Sequence, residues 1–376
     1  MLRSDKRIHL ISFDIPFPPN YGGIIDVYYK VKALTEAGIK VHLHCYQYGK
    51  EVSPQLNEIC ESVHYYRREL YKNPFVSKLP YIVKTRNTQI LKYNLCQNNY
   101  PILFEGLHSC YHLAAPELEH RIKVVRMHNI EHNYYAGLAE VEANPVKKTF
   151  FRLESRRLKH FETILSHANH IAAISPNDFD YLNKKFKNVF YLPAFHSNSD
   201  VISESGKGNF ALYHGNLGVG ENDEAAQFLV DKVFHNKELK LVVAGNNPSP
   251  RLKHLISKSE NVKLVSGIKT NDIDELIKQA QVNVLPTFQA TGIKLKLINA
   301  LYKGRYCVVN STMVENTGLE SLCAVADDPE NFYLKIKEVM QRDFDLNEVA
   351  KRRELLQKSF SNQENISLLI SRMFPA

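Results

Sequence analysis

Two blocks of alternating apolar and amphipathic segments run along the chain, and each block predicts strands that alternate with helices. Residues 22–37 are predicted to be a helix because Ile24, Val27 and Val31 recur at helical spacing and Gly38 follows as a stop. Such alternation is typical of a parallel sheet with helices on both faces. In the first block, short apolar runs typical of buried strands occur at residues 7–12, 40–46, 62–66, 101–105, 123–127, 170–175 and 189–192.

The alternation stops once and then restarts. Residues 194–209, with the sequence AFHSNSDVISESGKGN, are polar and aperiodic, and we predict a domain linker there. We therefore predict an N-terminal Rossmann-like domain over 1–193, a second one over 210–344, and a helical segment over 345–376 that is free to pack back on the first domain. The second block is predicted to contain strands at 210–214, 239–244, 262–266, 281–285, 306–310 and 323–326, and helices at 223–234, 250–258, 272–280, 293–303 and 330–341.

The stretch 281–304 combines a strand, a polar loop and a helix in an order that suits phosphate binding. A helix that begins just beyond the carboxyl end of a strand directs free backbone N–H groups and its positive dipole end toward the ligand crevice. Lys294 and Lys296 fall in the first turn, where the dipole disfavours cations, so we interpret them as anion ligands. The alternative is two solvated charges on an ordinary crossover helix.

Length and composition favour a two-domain globular protein. The chain has 376 residues, of which 44% are hydrophobic and 23% charged. A short apolar run at residues 8–13 is interpreted as a strand and not as a signal peptide. No apolar stretch approaches the roughly 18–20 residues of a membrane-spanning helix. Six cysteines without a CxxC pair predict reduced thiols in a cytoplasmic protein.

The formal charge of +8 is unevenly distributed. Residues 67–92 contain seven lysines and arginines against the single acid Glu69, interleaved with aromatic and aliphatic residues. Such a surface predicts peripheral contact with anionic lipid at the inner face of the membrane, and a plain solvated face is the alternative. Residues 140–167 are predicted to be a long basic surface helix. No nucleic-acid-reading motif accompanies the charge, so we expect no nucleic-acid partner.

Several sequence segments, in their order and spacing, resemble those of GT-B glycosyltransferases, and more narrowly those of glycosyltransferase family 4 (group 1). The resemblance extends from about residue 8 to about residue 340, and it implies two Rossmann-like domains with an interdomain cleft. The segments are PFPPNYGGIIDVYYKVKALTEAG at 16–38, RMHNIEH at 126–132, AAISPND at 172–178, LYHGNLGVGENDEAAQFL at 212–229, LVVAGNNP at 241–248 and TGIKLKLINALYKGRYCVV at 291–309.

This resemblance implies a retaining transferase that moves a sugar from a nucleotide-sugar donor, UDP- or GDP-linked, to a glycan or lipid-linked acceptor hydroxyl. It implies no metal and no other cofactor, so lysines and helix N-termini must stabilise the departing diphosphate. The implied ligands in the second domain are Lys294, Lys296 and the amides of Thr291, Gly292 and Ile293. Gly22 and Gly23 in the first domain have no Cβ and can approach the donor phosphate closely, although a steric helix start is the alternative.

The chain departs from the family pattern at four positions of the implied donor site. Thr291 and Asn299 stand where the family commonly has two glutamates, and Asn299 retains amide groups suited to ribose hydroxyls. Asn216 follows Gly215 where many members have arginine, and Glu221 stands where a lysine is expected. Lys294 and Lys296 thus remain the main predicted phosphate ligands.

Histidines and carboxylates after two strands of the first domain are the predicted acceptor side. His108 follows the strand at 101–105, and the resemblance implies a position near the acceptor and the sugar C6 hydroxyl. His128 follows the next strand, and we predict both imidazoles as catalytic candidates, with Asn129, Glu131 and His132 as acceptor ligands. Structural roles are the alternative, and the histidine spacing fits no zinc motif.

Three other functions remain as alternatives. A nucleotide-sugar 2-epimerase needs carboxylates for proton transfer, and Glu105 and Glu131 are the obvious ones. A nicotinamide dehydrogenase is disfavoured because no GxGxxG follows either first strand. A sugar-nucleotide-binding protein without turnover is supported by Thr291 and Asn299.

Overall fold

The computed structural model describes residues 5–70, 73–288 and 294–375, and the chain divides into two compact units. The first unit contains the residues up to Ser197 and those from Asn362 onward. The second unit begins at Asn198 and ends at Ser361. None of the helices in the described residues is long and apolar enough to cross a membrane.

The first unit is built on a seven-stranded, wholly parallel sheet with the order β3-β2-β1-β4-β5-β6-β7. The order reverses beside β1, and in open α/β sheets ligands bind at such a switch point, beyond the carboxyl ends of the strands. The strands are β1 (Arg7–Ser12), β2 (Lys40–Gln47), β3 (Ser62–Arg67), β4 (Ile102–Glu105), β5 (Lys123–Met127), β6 (His170–Ala173) and β7 (Val189–Tyr191).

Helices cover both faces of this sheet and bury two apolar clusters against it. In the first crossover helix, Ile24, Val27 and Val31 are fully buried, as their spacing predicts. The helices are α1 (Gly22–Glu36), α2 (Pro54–Ile59), α3 (Tyr81–Lys84), α4 (Gln89–Leu95), α5 (Glu131–Val141), α6 (Pro145–Phe161) and α7 (Pro176–Asn183), with short 3₁₀ helices at Leu107–His112, Pro116–Leu118 and Glu162–His167.

The second unit repeats the plan with a six-stranded sheet of order β10-β9-β8-β11-β12-β13, all of whose pairs are parallel. Its switch point lies between β8 and β11. The strands are β8 (Ala211–His214), β9 (Leu241–Ala244), β10 (Val262–Val265), β11 (Val282–Val284), β12 (Tyr306–Val309) and β13 (Ala324–Val325).

The helices of the second unit follow its strands in the expected order. The first of them, α8 (Gly220–Phe228), continues into a π-helical segment at Leu229–Val233. The others are α9 (Pro250–Ser257), α10 (Thr270–Gln279), α11 (Leu295–Lys303), α12 (Ser311–Val314), α13 (Pro329–Gln341) and α14 (Leu346–Phe360), with a 3₁₀ helix at Glu320–Leu322.

The domain boundaries differ from the sequence prediction in two places. Residues 194–209 are no open linker, because Phe195 and His196 are buried in the first unit and Val201 is buried in the second. The C-terminal segment 345–376 is divided: α14 belongs to the second unit, and α15 (Asn362–Met373) belongs to the first, where it packs on α1. The basic segment 140–167 is also not one helix, since the chain leaves helical geometry between α5 and α6 before Pro145.

Candidate functional site

The carboxyl edge of the sheet in the first unit brings together the predicted glycines and histidines of that unit. Phe13 follows β1, Gly106 and His108 follow β4, and His128 follows β5. The Phe13 ring lies 5.2 Å from the His108 ring and 5.3 Å from the His128 ring, measured between centroids. At the switch point of this unit, the Phe13 ring therefore lies next to two imidazole rings.

Two glycines make this close approach possible. A Cβ on Gly23 would lie 3.0 Å from Cζ of Phe13 and 3.7 Å from Nδ1 of His128. A side chain at this position would therefore crowd the Phe13 ring. Gly106 has a φ of +70°, and a Cβ there would lie 2.9 Å from Nδ1 of His108. Gly22 is the first residue of α1. The Gly22–Gly23 turn thus has a steric role at this edge, and its phosphate role stays a prediction.

His128 belongs to a buried ion-pair network that joins α1 to β4 and β5. Its Nε2 lies 2.9 Å from Oε2 of Glu105. The Lys30 ammonium donates to Asp26 at 2.9 Å and to Glu105 at 2.8 Å, and Arg126 donates to both oxygens of Asp26 at 3.1 Å. Burial alone would raise the pKa of Asp26, but the guanidinium of Arg126 and the ammonium of Lys30 hold it below its ordinary value.

The composition of this network bears on metal binding and on the epimerase alternative. Ligand atoms of Asp26, Glu105 and His128 lie within 4.8 Å of one another, a spacing a metal ion could use. Lys30 already bridges the two carboxylates, however, so the cluster fits an ion-pair network better than a metal centre. Burial would raise the pKa of Glu105, but Lys30 and His128 lower it, which disfavours Glu105 as the epimerase base.

Glu131 and His132 follow β5 but face different surroundings. Oε1 of Glu131 lies 3.7 Å from Nδ1 of His108, and Glu131 is buried. Burial raises the pKa of Glu131 to about 8, with Asp178 adding to the effect. Nδ1 of His132 lies 3.3 Å from Oε2 of Glu162, on the 3₁₀ helix after α6. Asn129 is half-buried and also contributes a side-chain hydrogen bond to Glu131.

The second unit holds the two predicted lysines close to its switch point. Lys294 directly precedes α11, and Lys296 lies in its first turn. The ammonium of Lys296 donates to Oδ1 of Asn222, in the first turn of α8, at 2.6 Å, and it lies 3.5 Å from the hydroxyl of Tyr213. The lysines are therefore not the solvated charges of the alternative interpretation. Thr291, Gly292 and Ile293 lie outside the described residues.

Burial lowers the pKa of both lysines. It lowers the pKa of Lys296 to about 8, although the carboxylate of Glu221 opposes the shift. It also lowers the pKa of Lys294, against Glu221 and Glu315. Glu221 itself accepts a hydrogen bond from Thr287, which follows β11. An acidic side chain thus shares the switch point with both cations.

A side-chain hydrogen bond from Asn222 joins the loop after β8 to α8. Nδ2 of Asn222 donates to the carbonyl of Asn216 at 2.9 Å, and a Cβ on Gly215 would lie 3.3 Å from Cγ of Asn222. Oδ1 of Asn216 accepts from the Gly218 amide at 3.1 Å, so this asparagine shapes its own loop. Further along α11, Oδ1 of Asn299 accepts from Asn198 at 2.8 Å.

Sequence reasoning missed several residues of both switch points. Nothing in the spacing singles out Asn222, Thr287 or Asp178, because each is a common residue in a loop or a first helical turn. Lys30 and Asp26 carried a signal, since a lysine and an aspartate four residues apart sit on the apolar face of α1 and must pair when buried.

Comparison with known proteins agrees with this architecture. Residues 208–342 match the family model described as glycosyl transferases group 1. A Klebsiella pneumoniae protein, described as an uncharacterized 44.6 kDa protein in the cps region, is 25% identical over 331 residues, which cover 83% of this chain and 84% of that protein.

Solved structures share the fold at low sequence identity. The apo structure of OtsA superposes with a TM-score of 0.66 at 11% identity, covering 99% of this chain and 100% of that one. A mutant of S. aureus TarM in complex with fondaparinux, α-GlcNAc-glycerol and UDP superposes with a TM-score of 0.62 at 10% identity, covering 98% and 99%. The predicted GT-B fold is confirmed, and the second unit carries the region that matches group 1 glycosyltransferases, which supports glycosyltransferase activity.

Proposed function

We propose that this glycosyltransferase moves a sugar from a UDP- or GDP-linked donor to a hydroxyl of a glycan or lipid-linked acceptor, with retention and without a metal ion. The observation that carries the proposal is the pair Lys294 and Lys296 at the switch point of the second unit, with Lys296 half-buried and hydrogen-bonded to Asn222. A buried ammonium whose hydrogen-bonding partners are neutral favours an anionic ligand, because that ligand removes part of its desolvation penalty.

The surroundings of the lysines fit a leaving diphosphate. Asn222 and Tyr213 orient the Lys296 ammonium. The related TarM structure contains UDP, which supports a nucleotide ligand for this fold. The Klebsiella relative in the cps region supports a role in bacterial glycan assembly.

Removal of both lysine charges is the direct test of the donor site. We expect Lys294→Ala with Lys296→Ala to weaken UDP or GDP binding at least tenfold in calorimetry, since one charge-assisted hydrogen bond contributes about 1.5–3 kcal/mol. Lys237→Ala with Lys240→Ala is the matched control, because these exposed lysines precede β9 at the opposite edge of the same sheet. Unchanged affinity in the first double variant would remove the phosphate role.

A panel of labelled nucleotide sugars tests the reaction itself. We expect transfer or slow donor hydrolysis that EDTA does not reduce, and a product whose anomeric configuration matches the donor by NMR. Interconversion of the donor sugar would identify an epimerase. Binding without either reaction would identify the protein without turnover, the interpretation that Thr291 and Asn299 support.

We further propose that the enzyme works in the cytoplasm, bound peripherally to anionic lipid through residues 67–92 together with the α5–α6 hairpin. The Phe75 ring lies 6.1 Å from the Phe150 ring, and Arg157 donates to the carbonyls of Pro74 and Phe75 at 2.9 and 2.7 Å. These contacts join the basic segment to a helix rich in lysine and arginine. Val76 and Val146 are 73% and 64% exposed on this surface.

Vesicle sedimentation tests the lipid contact. We expect Val76→Asp with Val146→Asp to reduce binding to vesicles of anionic phospholipid several-fold, because both apolar area and attraction to the head groups are lost. Leu346→Asp is the control, since Leu346 is equally exposed, at 73%, on the second unit. Equal loss in the two proteins would contradict the assignment of the surface.

A further inference from the structure

Several side chains at the carboxyl edge of the first unit's sheet have buried polar atoms without a hydrogen-bond partner, among them Nδ1 of His128 and Nδ1 of His132. Three more such atoms are Nδ1 of His108, Oε1 of Glu131 and Oδ2 of Asp178. They follow β4, β5 and β6, which are neighbours in the sheet. Buried polar groups are nearly always paired, so a group of unpaired ones at a ligand-binding edge requires a functional explanation.

His108 and Glu131 face each other across a short gap. Nδ1 of His108 lies 3.7 Å from Oε1 of Glu131, and neither atom has a partner among the described residues. The imidazole of His108 packs against the Phe13 ring. Nδ1 of His108 lies where a Cβ on residue 106 would clash, so the glycine at that position makes room for it. The side chain of His108 is 20% exposed, and Nε2 is not among the buried atoms that lack a hydrogen-bond partner. Nδ1 faces Glu131, and Nε2, the outward nitrogen, lies on the far side of the ring from Glu131.

The surrounding charges decide where the protons are. Burial raises the pKa of Glu131 to about 8, and the carboxyl of Asp178 on α7 raises it further, whereas Arg86 opposes the shift. Burial keeps the pKa of His108 well below its ordinary value, and Arg86, His128 and Arg68 add to that effect. At neutral pH a carboxylic acid thus faces a neutral imidazole.

A neutral imidazole carries its proton on one nitrogen only. The hydrogen-bonding partner of one ring nitrogen determines which tautomer is favoured. The protonated carboxyl of Glu131 is a donor, so it favours Nδ1 of His108 as the acceptor and places the proton on Nε2. After Glu131 ionises, its carboxylate favours a proton on Nδ1, and Nε2 becomes an acceptor. The outward nitrogen therefore reverses its hydrogen-bonding character when Glu131 loses its proton.

We propose that Glu131 is a positioning residue that fixes the Nε2–H tautomer of His108, so that His108 donates a hydrogen bond to an oxygen of the bound sugar substrate and does not remove a proton from it. The identity of that substrate rests on the proposed function. The tautomer itself rests only on the contacts within the first unit.

Histidine NMR tests the tautomer without any substrate. In the full-length protein labelled with ¹⁵N-histidine, the signals of His108 are assigned by subtraction of the His108→Gln spectrum. We expect Nε2 to be protonated at pH 7 and the proton to move to Nδ1 above about pH 8, the value to which burial raises the pKa of Glu131. In Glu131→Gln, we expect the proton to stay on Nε2 even at pH 9. The glutamine amide can still donate to Nδ1 and does not ionise. A proton on Nδ1 of His108 at pH 7 in the wild type would overturn the proposal.

The pH profile of transfer is the second test. We expect log kcat/KM to fall with a slope of −1 above about pH 8, the value to which burial raises the pKa of Glu131, and the profile of Glu131→Gln to lack this decline. Asp178→Asn should move the decline to lower pH, whereas Asp180→Asn, an exposed change on the same helix, should not. A rise in kcat/KM above pH 8 would show that Nε2 acts as a proton acceptor and would overturn the proposal. If no donor is turned over, the proposed function fails while the NMR result still decides the tautomer.

Discussion

At the scale of single residues, Lys296 at the start of α11 and Glu221 at the start of α8 place opposite charges near each other. Lys296 is buried enough for its pKa to fall to about 8, so any nearby carboxylate strongly affects its protonation. Glu221 lies next to Asn222, the residue that receives the Lys296 ammonium, and its carboxylate raises the pKa of both lysines. Glu221 thus favours the charged form of both lysines, and under the proposed function we expect it to repel the phosphates of the donor.

Replacement of Glu221 separates these two effects. We expect Glu221→Gln to tighten UDP binding roughly tenfold at pH 7, since loss of a nearby negative charge removes about 1–2 kcal/mol of repulsion at an effective dielectric constant of about 20. As the pH rises, UDP binding should also begin to weaken at a lower pH in the variant than in the wild type. Without the Glu221 carboxylate, Lys296 loses its proton more readily. Calorimetry from pH 6 to pH 9 measures both effects.

Glu224→Gln is the control for this experiment, because Glu224 is exposed on the same helix. Weaker UDP binding by the Glu221 variant would contradict the repulsion. It would instead indicate that Glu221 binds a donor hydroxyl or that its hydrogen bond from Thr287 holds the loop after β11.

At the scale of elements, a chain of buried hydrogen bonds crosses three strands of the first unit. Nδ2 of Asn94 donates to the Tyr66 hydroxyl at 2.9 Å, and that hydroxyl lies 2.7 Å from Nδ1 of His44. Nε2 of His44 lies 2.8 Å from Nδ1 of His9, and Nε2 of His9 lies 2.8 Å from Oδ1 of Asn98. The amide donor at one end and the amide oxygen at the other allow one direction only, in which both imidazoles are neutral.

Acid should break this histidine chain. Burial lowers the pKa of His9 to about 4 and that of His44 well below its ordinary value. Unfolding therefore takes up protons below about pH 6.5, so the stability present above that pH is lost as the pH falls toward 4. For His9 alone the loss is on the order of 3 kcal/mol. Urea denaturation at pH 7.5 and pH 5 measures it.

The variant His9→Gln provides the comparison. Its amide can accept from His44 and donate to Asn98 but does not titrate, so we expect a smaller loss of stability between the two pH values. His254→Gln, at an exposed histidine of the second unit, should behave as the wild type. Identical acid sensitivity in all three proteins would contradict a role for the chain.

At the scale of the whole molecule, the last helix belongs to the unit that the first residues build. Ile366, Leu369 and Met373 of α15 are buried in the same apolar cluster as Val31 of α1. The side chain of Asn362 also pairs with the backbone of His196, at 2.7 and 3.3 Å. The first unit is therefore complete only after the entire second unit has been synthesised.

A single core truncation tests this arrangement. We expect Leu369→Ala to lower the free energy of unfolding by about 2–5 kcal/mol, as deletion of a fully buried leucine side chain does. Hydrogen exchange should become faster in α1 and β5, which pack near α15, and remain unchanged in the second unit. Ser371→Ala, at an exposed position of the same helix, is the control. Faster exchange in the second unit alone would contradict the assignment of α15.

The amino-acid sequence by itself predicted most of the elements, the parallel sheets and the GT-B fold. Apolar runs at strand length and the i, i+3, i+4 spacing of α1 and α11 are local signals, because burial on one face leaves its period in the chain. The lysines before and within α11 and the histidines after β4 and β5 were also predicted from the sequence to lie at the ligand edges of the sheets, and their roles stay predictions.

Only the tertiary structure decided what surrounds these side chains. Whether a lysine is solvated or buried, as Lys296 is, and whether a histidine faces Glu131 or Glu162, as His108 and His132 respectively do, depends on residues distant in sequence. The boundary at Ser197 and the return of α15 to the first unit were likewise set by packing that leaves no local period. Periodicity records which face of an element is buried. Proton positions and charge pairs depend on what is packed against that face.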